Sequence, residues 1–209
     1  MTLIMKKIIL TSALPALWCV VACSACRPAN RPEPAVVPKN KLTKTVFSTF
    51  GPANTYLLNN SGWAAGANAH AECLTPDASG SLNAVEIALE PNYVRRGRET
   101  TAGAANVFIA QDENGLPGAV LESFPVAADP PASPPPALPL ILKSATHPKL
   151  QAGVKYWLCA GCPGPGSWVW RFNDQHLSQV SAREQGPGKW LSAGNGRNGA
   201  FRIIVTLDN

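Results

Sequence analysis

The sequence predicts an all-β fold: a single antiparallel β-sandwich, jelly-roll-like domain that follows an N-terminal signal and a Pro-rich spacer. Three observations carry this prediction. No segment keeps the apolar period of an amphipathic helix. Short apolar or alternating segments recur, with turn-forming residues between them. The 165 residues from position 45 to 209 are enough for one domain with a buried core.

Ten segments have the residue pattern of β-strands. The alternation is clearest in Ser81–Leu89, where one face of the strand is uniformly apolar. Asn114-Gly115 supplies the positive φ angles of a tight turn and predicts a hairpin. The segment 127–139 is rich in Pro and Ala, which excludes a central strand and predicts a loop. The ten predicted strands span residues 45–50, 63–67, 71–74, 81–89, 106–111, 120–126, 138–145, 155–160, 168–172 and 201–207.

Residues 1–22 have the pattern of a lipoprotein signal peptide. Two lysines precede the apolar segment Ile8–Ala22, which is shorter than the about 20 residues of a membrane-spanning helix. The segment ends in Val-Val-Ala before Cys23, which resembles the bacterial lipobox. In that motif the signal peptidase cuts before the cysteine, whose sulfur carries a diacylglycerol. We therefore expect lipidation at Cys23 and a membrane-anchored, extracytoplasmic location at the cell surface or the periplasmic face.

Other cleavage sites fit this segment less well. Cys19 follows Trp18, which is too bulky for the position before a cut. Cys26 lacks an aliphatic residue three positions earlier. The alternative to a lipoprotein is an ordinary secretory signal cleaved near Ala25, which would release the protein from the membrane.

Charge divides the mature chain into two parts. The spacer, residues 23–44, has five Lys/Arg and one acidic residue among its prolines, which predicts a stiff, solvated segment suited to lie near anionic lipid. Residues 45–209 have 11 Lys/Arg and 12 Asp/Glu. A domain so near neutrality lacks the basic surface that nucleic-acid binding requires, so we expect no nucleic-acid partner.

Three cysteines of the domain are candidates for a disulfide, because an exported chain meets an oxidising compartment. Cys159 and Cys162 have the spacing of a redox or metal half-site. The Pro-Gly repeat that follows excludes the helix of a redox pair, and no second ligand pair completes a zinc site. We expect a bridge between Cys159 and Cys162, or between Cys73 and one of them, and no metal. Free thiols are the alternative.

The sequence contains no recognisable catalytic arrangement. His70, His147 and His176 each lie in a turn-like segment, outside a serine elbow or a His-Glu-x-x-His helix. Asp112 and Glu113 are adjacent, and adjacent residues of a strand face opposite ways. We therefore expect a protein that is not an enzyme and binds no cofactor.

Aromatic residues are the best candidates for recognition. Trp168 and Trp170 are two positions apart and share one face of a strand, and Trp190 lies in a Gly-rich region. The oxygens of Asn173 and Asp174 accept hydrogen bonds of the kind that sugar hydroxyls donate. Trp168, Trp190, Asn173 and Asp174 are therefore candidate ligand-binding residues. The alternative is that the tryptophans fill the core, which we expect for Trp170.

An ordered set of motifs resembles the choice-of-anchor R domain of bacterial surface proteins. The motifs are Phe47-Ser48-Thr49-Phe50-Gly51-Pro52, Gly62-Trp63, Leu74-Thr75-Pro76, Val85-Glu86-Ile87-Ala88-Leu89, Gly115-Leu116-Pro117-Gly118, Tyr156-Trp157-Leu158, Trp170-Arg171-Phe172-Asn173 and Gly199-Ala200-Phe201-Arg202. The likeness covers nearly all of Val46–Val205. It implies a β-rich extracellular domain attached by an anchor and brings no catalytic residues with it.

The chain departs from that family in two respects. It ends in Asp208-Asn209 without a C-terminal apolar segment, so we expect the N-terminal lipid to supply the anchor. It also has Cys73, Cys159 and Cys162 where ordinary strand residues are expected.

These observations predict a lipid-anchored, extracytoplasmic β-sandwich that is non-catalytic. Its expected role is surface architecture, adhesion or weak glycan binding, with the membrane and glycans or other envelope components as partners. The alternative is a secreted hydrolase whose active site is built from distant loops.

Overall fold

The computed structural model describes residues 41–58, 62–92, 94–95, 98–99, 103–128, 138–164 and 166–208. These residues belong to one compact unit, Asn40–Asn209. The predicted signal peptide, the lipidation site at Cys23, most of the spacer and the core of the predicted 127–139 loop lie outside the described residues. Within them, no helix has the length and apolar character needed to cross a membrane.

The described chain is built from β-strands and one short 3-10 helix, Pro52–Asn54. The strands are β1 (Thr43–Ser48), β2 (Gly62–Ala65), β3 (His70–Leu74), β4 (Gly80–Ile87), β5 (Leu89–Pro91), β6 (Val94–Arg95), β7 (Arg98–Glu99), β8 (Ala105–Glu113), β9 (Leu116–Val126), β10 (Leu140–Lys143), β11 (Lys149–Leu150), β12 (Tyr156–Gly161), β13 (Trp168–Arg171), β14 (Ser178–Glu184), β15 (Trp190–Arg197) and β16 (Phe201–Leu207).

The strands form antiparallel sheets that pack as a sandwich, as predicted. A five-stranded sheet has the order β1-β16-β4-β10, with β11 also paired to β4. A six-stranded sheet has the order β15-β14-β3-β12-β8-β9. A three-stranded sheet, β2-β13-β5, and the two-stranded β6-β7 complete the described strands.

The main core lies between these sheets and follows from side-chain alternation. Val85 and Ile87 of β4, with Ile203 of β16, face it from the five-stranded sheet. Leu158 of β12 and Ile109 of β8 face it from the six-stranded sheet. All five are fully buried. Their burial is the largest source of stability, about 1.5–3 kcal/mol for each aliphatic side chain.

The six-stranded sheet also has a buried second face. Trp157 and Cys159 of β12 point away from the main core and into a smaller cluster. The sheet curls so that its edge strands, β9 and β15, approach each other. Trp190 of β15 reaches Phe108 of β8, with ring centroids 6.4 Å apart. The curl explains why every residue of β12 is buried.

The predicted strands are confirmed, with the predicted 81–89 segment divided into β4 and β5. Asn114 and Gly115 have φ angles of 56° and 81° and form the predicted turn between β8 and β9. The prediction missed the two-residue strands β6, β7 and β11. It also missed β14 and β15, the hairpin at one edge of the six-stranded sheet. Most of β15 is exposed, so its sequence lacks the apolar alternation that marks the other strands.

The predicted disulfide is wrong, because Cys73, Cys159 and Cys162 are all buried free thiols. Cys159 and Cys162 are an odd number of residues apart, so on extended chain their side chains lie on opposite faces of the sheet. Cys159 lies in the second cluster and Cys162 in the main core. Cys73 lies opposite Trp157 on the neighbouring strand and is only diagonal to Cys159. Diagonal Cβ atoms are about 7–8 Å apart, whereas a disulfide needs about 3.5–4.5 Å.

Candidate functional site

A cavity of about 590 Å³ lies beside β3, within the size range of about 300–1,000 Å³ that small-molecule sites occupy. Its lining comes from Trp63 on β2, the connection 66–69, His70 on β3, Arg183 on β14 and residues 191–193 on β15. The cavity therefore lies where β2 of the three-stranded sheet meets the missed β14–β15 hairpin.

Strand register aligns three of these side chains. Arg183 pairs with His70 on one side and with Leu191 on the other. Residues directly opposite each other on neighbouring strands project from the same face. The sheet thus presents an imidazole, a guanidinium and an aliphatic side chain in one row along the cavity.

His70 is held by aromatic rings. Its imidazole stacks on Trp63 with centroids 4.2 Å apart and an interplanar angle of 22°. The edge of Trp170 meets it at 6.1 Å, and Phe172 packs edge-on against Trp63 at 5.4 Å. These contacts fix the ring at the cavity wall, where His70 is only 5% exposed.

A buried carboxylate lies behind the imidazole. Glu72 is two residues after His70 on β3, so the two side chains share a face, and His70 Nε2 lies 3.0 Å from Glu72 Oε1. The backbone N–H of Gly199 donates to Oε1 at 3.2 Å, and Nδ2 of Asn198 donates to Oε2. Burial raises the pKa of Glu72, although the hydrogen bonds from His70, Gly199 and Asn198 oppose the rise.

Glu72 determines which ring nitrogen the imidazole offers to a ligand. Nε2 of His70 is engaged by Oε1 of Glu72, so Nδ1 is the ring nitrogen that is left. Nδ1 has no hydrogen-bond partner among the described residues, and the tautomer of the ring decides whether it donates or accepts.

Two buried polar atoms of residues around His70 lack a hydrogen-bond partner within the described part of the chain: Nε1 of Trp63 and Oδ1 of Asn198. Both atoms are inaccessible to solvent, and Asn198 is not among the residues that line the cavity.

The predicted ligand-binding tryptophans lie elsewhere. Trp168 is fully buried in the main core, and its Nε1 donates to the Gly103 carbonyl at 2.7 Å. Its ring therefore has no face free to stack on a sugar. Trp190 is half-buried and packs against the second cluster rather than the cavity. Trp170 is fully buried, as expected from its core assignment.

The predicted polar ligand-binding residues have structural roles. Asn173 is fully buried, donates to the carbonyls of Leu177 and Asn198, and accepts from the Leu177 N–H, which closes a turn. Burial acts to raise the pKa of Asp174, but hydrogen bonds from Thr55 and Gln175 lower it overall. Neither residue lines the cavity.

The sequence contained a partial signal for the site. His70-Ala71-Glu72 places an imidazole and a carboxylate on one face of a strand, but the predicted strand began at Ala71 and left His70 in a turn. His147 and His176 do occupy turn-like positions, with φ angles of 50° and 54°. Arg183 had no signal, because its strand was not predicted.

A second, more open depression of about 630 Å³ lies near Asp112, Lys149 and Lys155. Two of its three charged groups have partners: Asp112 accepts from Trp157 Nε1 at 2.7 Å, and Lys149 pairs with Asp208. The described lining of the depression also lacks an aromatic pair of the kind that Trp63 and His70 form. We therefore regard the His70 cavity as the candidate site.

No cluster of three or more metal-ligating side chains occurs among the described residues. Comparisons with protein-family models, with curated proteins and with solved structures found no match to this chain.

Proposed function

We propose that this chain is a lipid-anchored, extracytoplasmic β-sandwich that binds a sugar in the His70 cavity without transforming it. The observation that carries this proposal is the cavity itself, where the indole of Trp63 lies beside the polar side chains of His70 and Arg183. Sugar sites combine an aromatic surface with a few fixed hydrogen-bonding groups. Trp63 thus takes the role that the sequence assigned to Trp168 and Trp190.

The proposed location rests on the N-terminal sequence. The signal-like segment 1–22, the cysteine at position 23 and the Pro-rich spacer together favour a domain held away from a bilayer by a lipid. The resemblance to choice-of-anchor R domains favours the same arrangement. In this proposal the domain serves adhesion or envelope architecture through its sugar ligand.

Filling the cavity tests the binding proposal. Ala193 lines the cavity and is exposed, so Ala193→Trp should obstruct the cavity and leave the core intact. Val180 is 39% exposed on the same hairpin and does not line the cavity, so Val180→Trp is the matched control. On a glycan array we expect wild type and Val180→Trp to bind the same glycans and Ala193→Trp to lose them. Equal binding by all three proteins contradicts the proposed site.

Mass spectrometry of the protein purified from a bacterial membrane tests the anchor. We expect a mature chain that begins at Cys23 and carries a diacylglycerol. Cys23→Ser should prevent the modification, whereas Cys19→Ser should not affect it. An intact or soluble chain with an unmodified terminus contradicts the lipid anchor.

One observation favours the alternative, a hydrolase. An imidazole backed by a carboxylate is the arrangement of a general base, and Ser192 is among the residues that line the same cavity. A fluorophosphonate probe distinguishes the two functions. Labelling of Ser192 in wild type that disappears in His70→Asn would establish a nucleophile and contradict the non-catalytic proposal. We expect no labelling.

A further inference from the structure

Arg183 differs in having no partner from the other arginines whose side chains the structure describes. Arg171 pairs with Glu90 at 2.7 Å, Arg202 pairs with Glu86 at 2.9 Å, and Arg197 lies 2.8 Å from the ring nitrogen of His176. Arg183 lines the cavity and is exposed, and no hydrogen bond or ion pair with a described residue involves its guanidinium. The cavity lining therefore includes a solvated cation that no described side chain neutralises.

No carboxylate of the described domain is available to it. The lining of the cavity includes no Asp or Glu. Glu184, the next residue on β14, accepts hydrogen bonds from the backbone N–H groups of Ala69 and Gly188 at 3.3 and 2.8 Å. Glu72 is fully buried behind His70 and is surrounded by donors. The positive charge of Arg183 thus faces the cavity without an acidic neighbour.

Nδ1 of His70, a residue of the cavity lining, has no hydrogen-bond partner among the described residues. Among the described lining residues Arg183 carries the positive charge and none is acidic. Such a lining requires a ligand with an excess of acceptor atoms. A carboxylate meets this requirement best, because its two oxygens match the planar fork of a guanidinium.

We propose that the sugar bound in the His70 cavity is acidic and that its carboxylate pairs with Arg183. The inference rests on the proposed function and specifies the chemistry of its ligand. It places a uronic-acid unit with its carboxylate toward β14 and its ring near Trp63. The aliphatic side chain of Leu191, 49% exposed beside Arg183, adds apolar contact for the ring carbons.

Three matched sugars test the charge requirement. D-glucuronate, its neutral methyl ester and D-glucose have similar rings and differ at the carboxylate position. Titration calorimetry at low salt should show glucuronate binding at least about 10-fold more tightly than either neutral sugar, since hydrogen bonds between charged groups are about twice as strong as neutral ones. Added salt should weaken glucuronate binding and leave glucose binding unchanged.

Two variants locate the effect. Arg183→Gln should lower the affinity for glucuronate about 10-fold or more and leave the affinity for glucose unchanged. Arg197→Gln removes an exposed arginine of the neighbouring strand that does not line the cavity, and it should change neither affinity.

The outcomes separate this inference from the proposed function. Glucose or the methyl ester could bind tightly, with Ala193→Trp abolishing that binding and Arg183→Gln leaving it intact. This result would overturn the acidic ligand and retain the sugar site. Glucuronate binding that Arg183→Gln does not affect would also overturn the inference. If wild type binds none of the three sugars and none of the glycans on the array, both the acidic ligand and the proposed sugar site are overturned.

Discussion

The carboxylate of Glu122 on β9 accepts a hydrogen bond from the hydroxyl of Ser144, with 2.5 Å between the two oxygens. This bond joins the two large sheets of the sandwich. Ser144 follows β10, which belongs to the five-stranded sheet, whereas β9 is an edge of the six-stranded sheet. The other oxygen of Glu122 accepts the backbone N–H groups of Ala145 and Thr146 at 2.6 and 3.1 Å. One side chain therefore accepts three of the hydrogen bonds of the turn after β10.

Stability should fall in acid because of Glu122. Burial acts to raise its pKa, but the hydrogen bonds from Ser144, Ala145 and Thr146 outweigh burial and lower the pKa below its usual value. A lowered pKa in the folded state contributes stability above the ordinary pKa of 4.5, and that stability is lost as the pH falls through the lowered pKa. Urea unfolding from pH 7 to pH 3 measures the loss.

Glu122→Gln should remove this acid dependence. At pH 7 the variant should lose about 1–3 kcal/mol of unfolding free energy, the usual effect of weakening hydrogen bonds to a charged group. Glu113→Gln, at an exposed acidic residue near the end of β8, is the control and should change little. Equal acid sensitivity of wild type and Glu122→Gln would show that Glu122 does not link the sheets as described.

Glu72 should have the opposite effect on stability. Burial is the largest influence on its pKa and raises it above the ordinary value of 4.5, despite opposing hydrogen bonds. A raised pKa in the folded state contributes stability below the ordinary pKa, and this stability is lost as the pH rises through the raised pKa. The melting temperature of wild type should therefore decline as the pH rises through this pKa. Glu72→Gln, whose side chain stays uncharged, should show a smaller decline. A decline as steep as in wild type would contradict the raised pKa of Glu72.

Gly199 should not tolerate a side chain. A Cβ atom at this position would lie under 3.0 Å from the indole of Trp170, which is fully buried and cannot move aside. Gly199→Ala should cost about 1–3 kcal/mol by overpacking. Gly164→Ala is the control, since its Cβ would meet no atom within 4 Å.

A double-mutant cycle identifies the cause of that cost. Phe lacks the indole nitrogen that the new methyl group would contact, so Gly199→Ala should cost less in a Trp170→Phe background than in wild type. Equal costs in both backgrounds would assign the effect to the backbone of Gly199 rather than to Trp170.

The sandwich was predictable from sequence because its central strands have one apolar face. Val85 and Ile87 alternate with polar or small residues, and burial follows that alternation. The β14–β15 hairpin was not predictable in this way, because an edge hairpin with little buried surface leaves no such pattern. Four of the ten lining residues of the candidate site, including Arg183, lie on this hairpin, and that part of the site was not predicted.

Aromatic residues show a different limit of sequence reasoning. Trp168 and Trp170 were correctly placed on one face, and Trp170 was correctly assigned to the core. The packing of the sheets in three dimensions decides which face of a strand is covered. In this domain that packing buries Trp168 and leaves Trp63 beside a cavity. The alternation rule gives the face of a side chain and not what lies against it.

The three thiols of the described domain should be unreactive until the protein unfolds. Burial raises the pKa of both Cys73 and Cys159, so the reactive thiolate is scarce at neutral pH, and Cys162 is fully buried in the main core. In a Cys26→Ser variant that begins after residue 23, Ellman's reagent should detect almost no thiol in buffer and three in guanidinium chloride. The same variant with Cys73→Ala should give two, which serves as the control for counting. A count of one in denaturant without reductant would mean that two of the cysteines are joined, which the opposed faces of Cys159 and Cys162 and the diagonal position of Cys73 argue against.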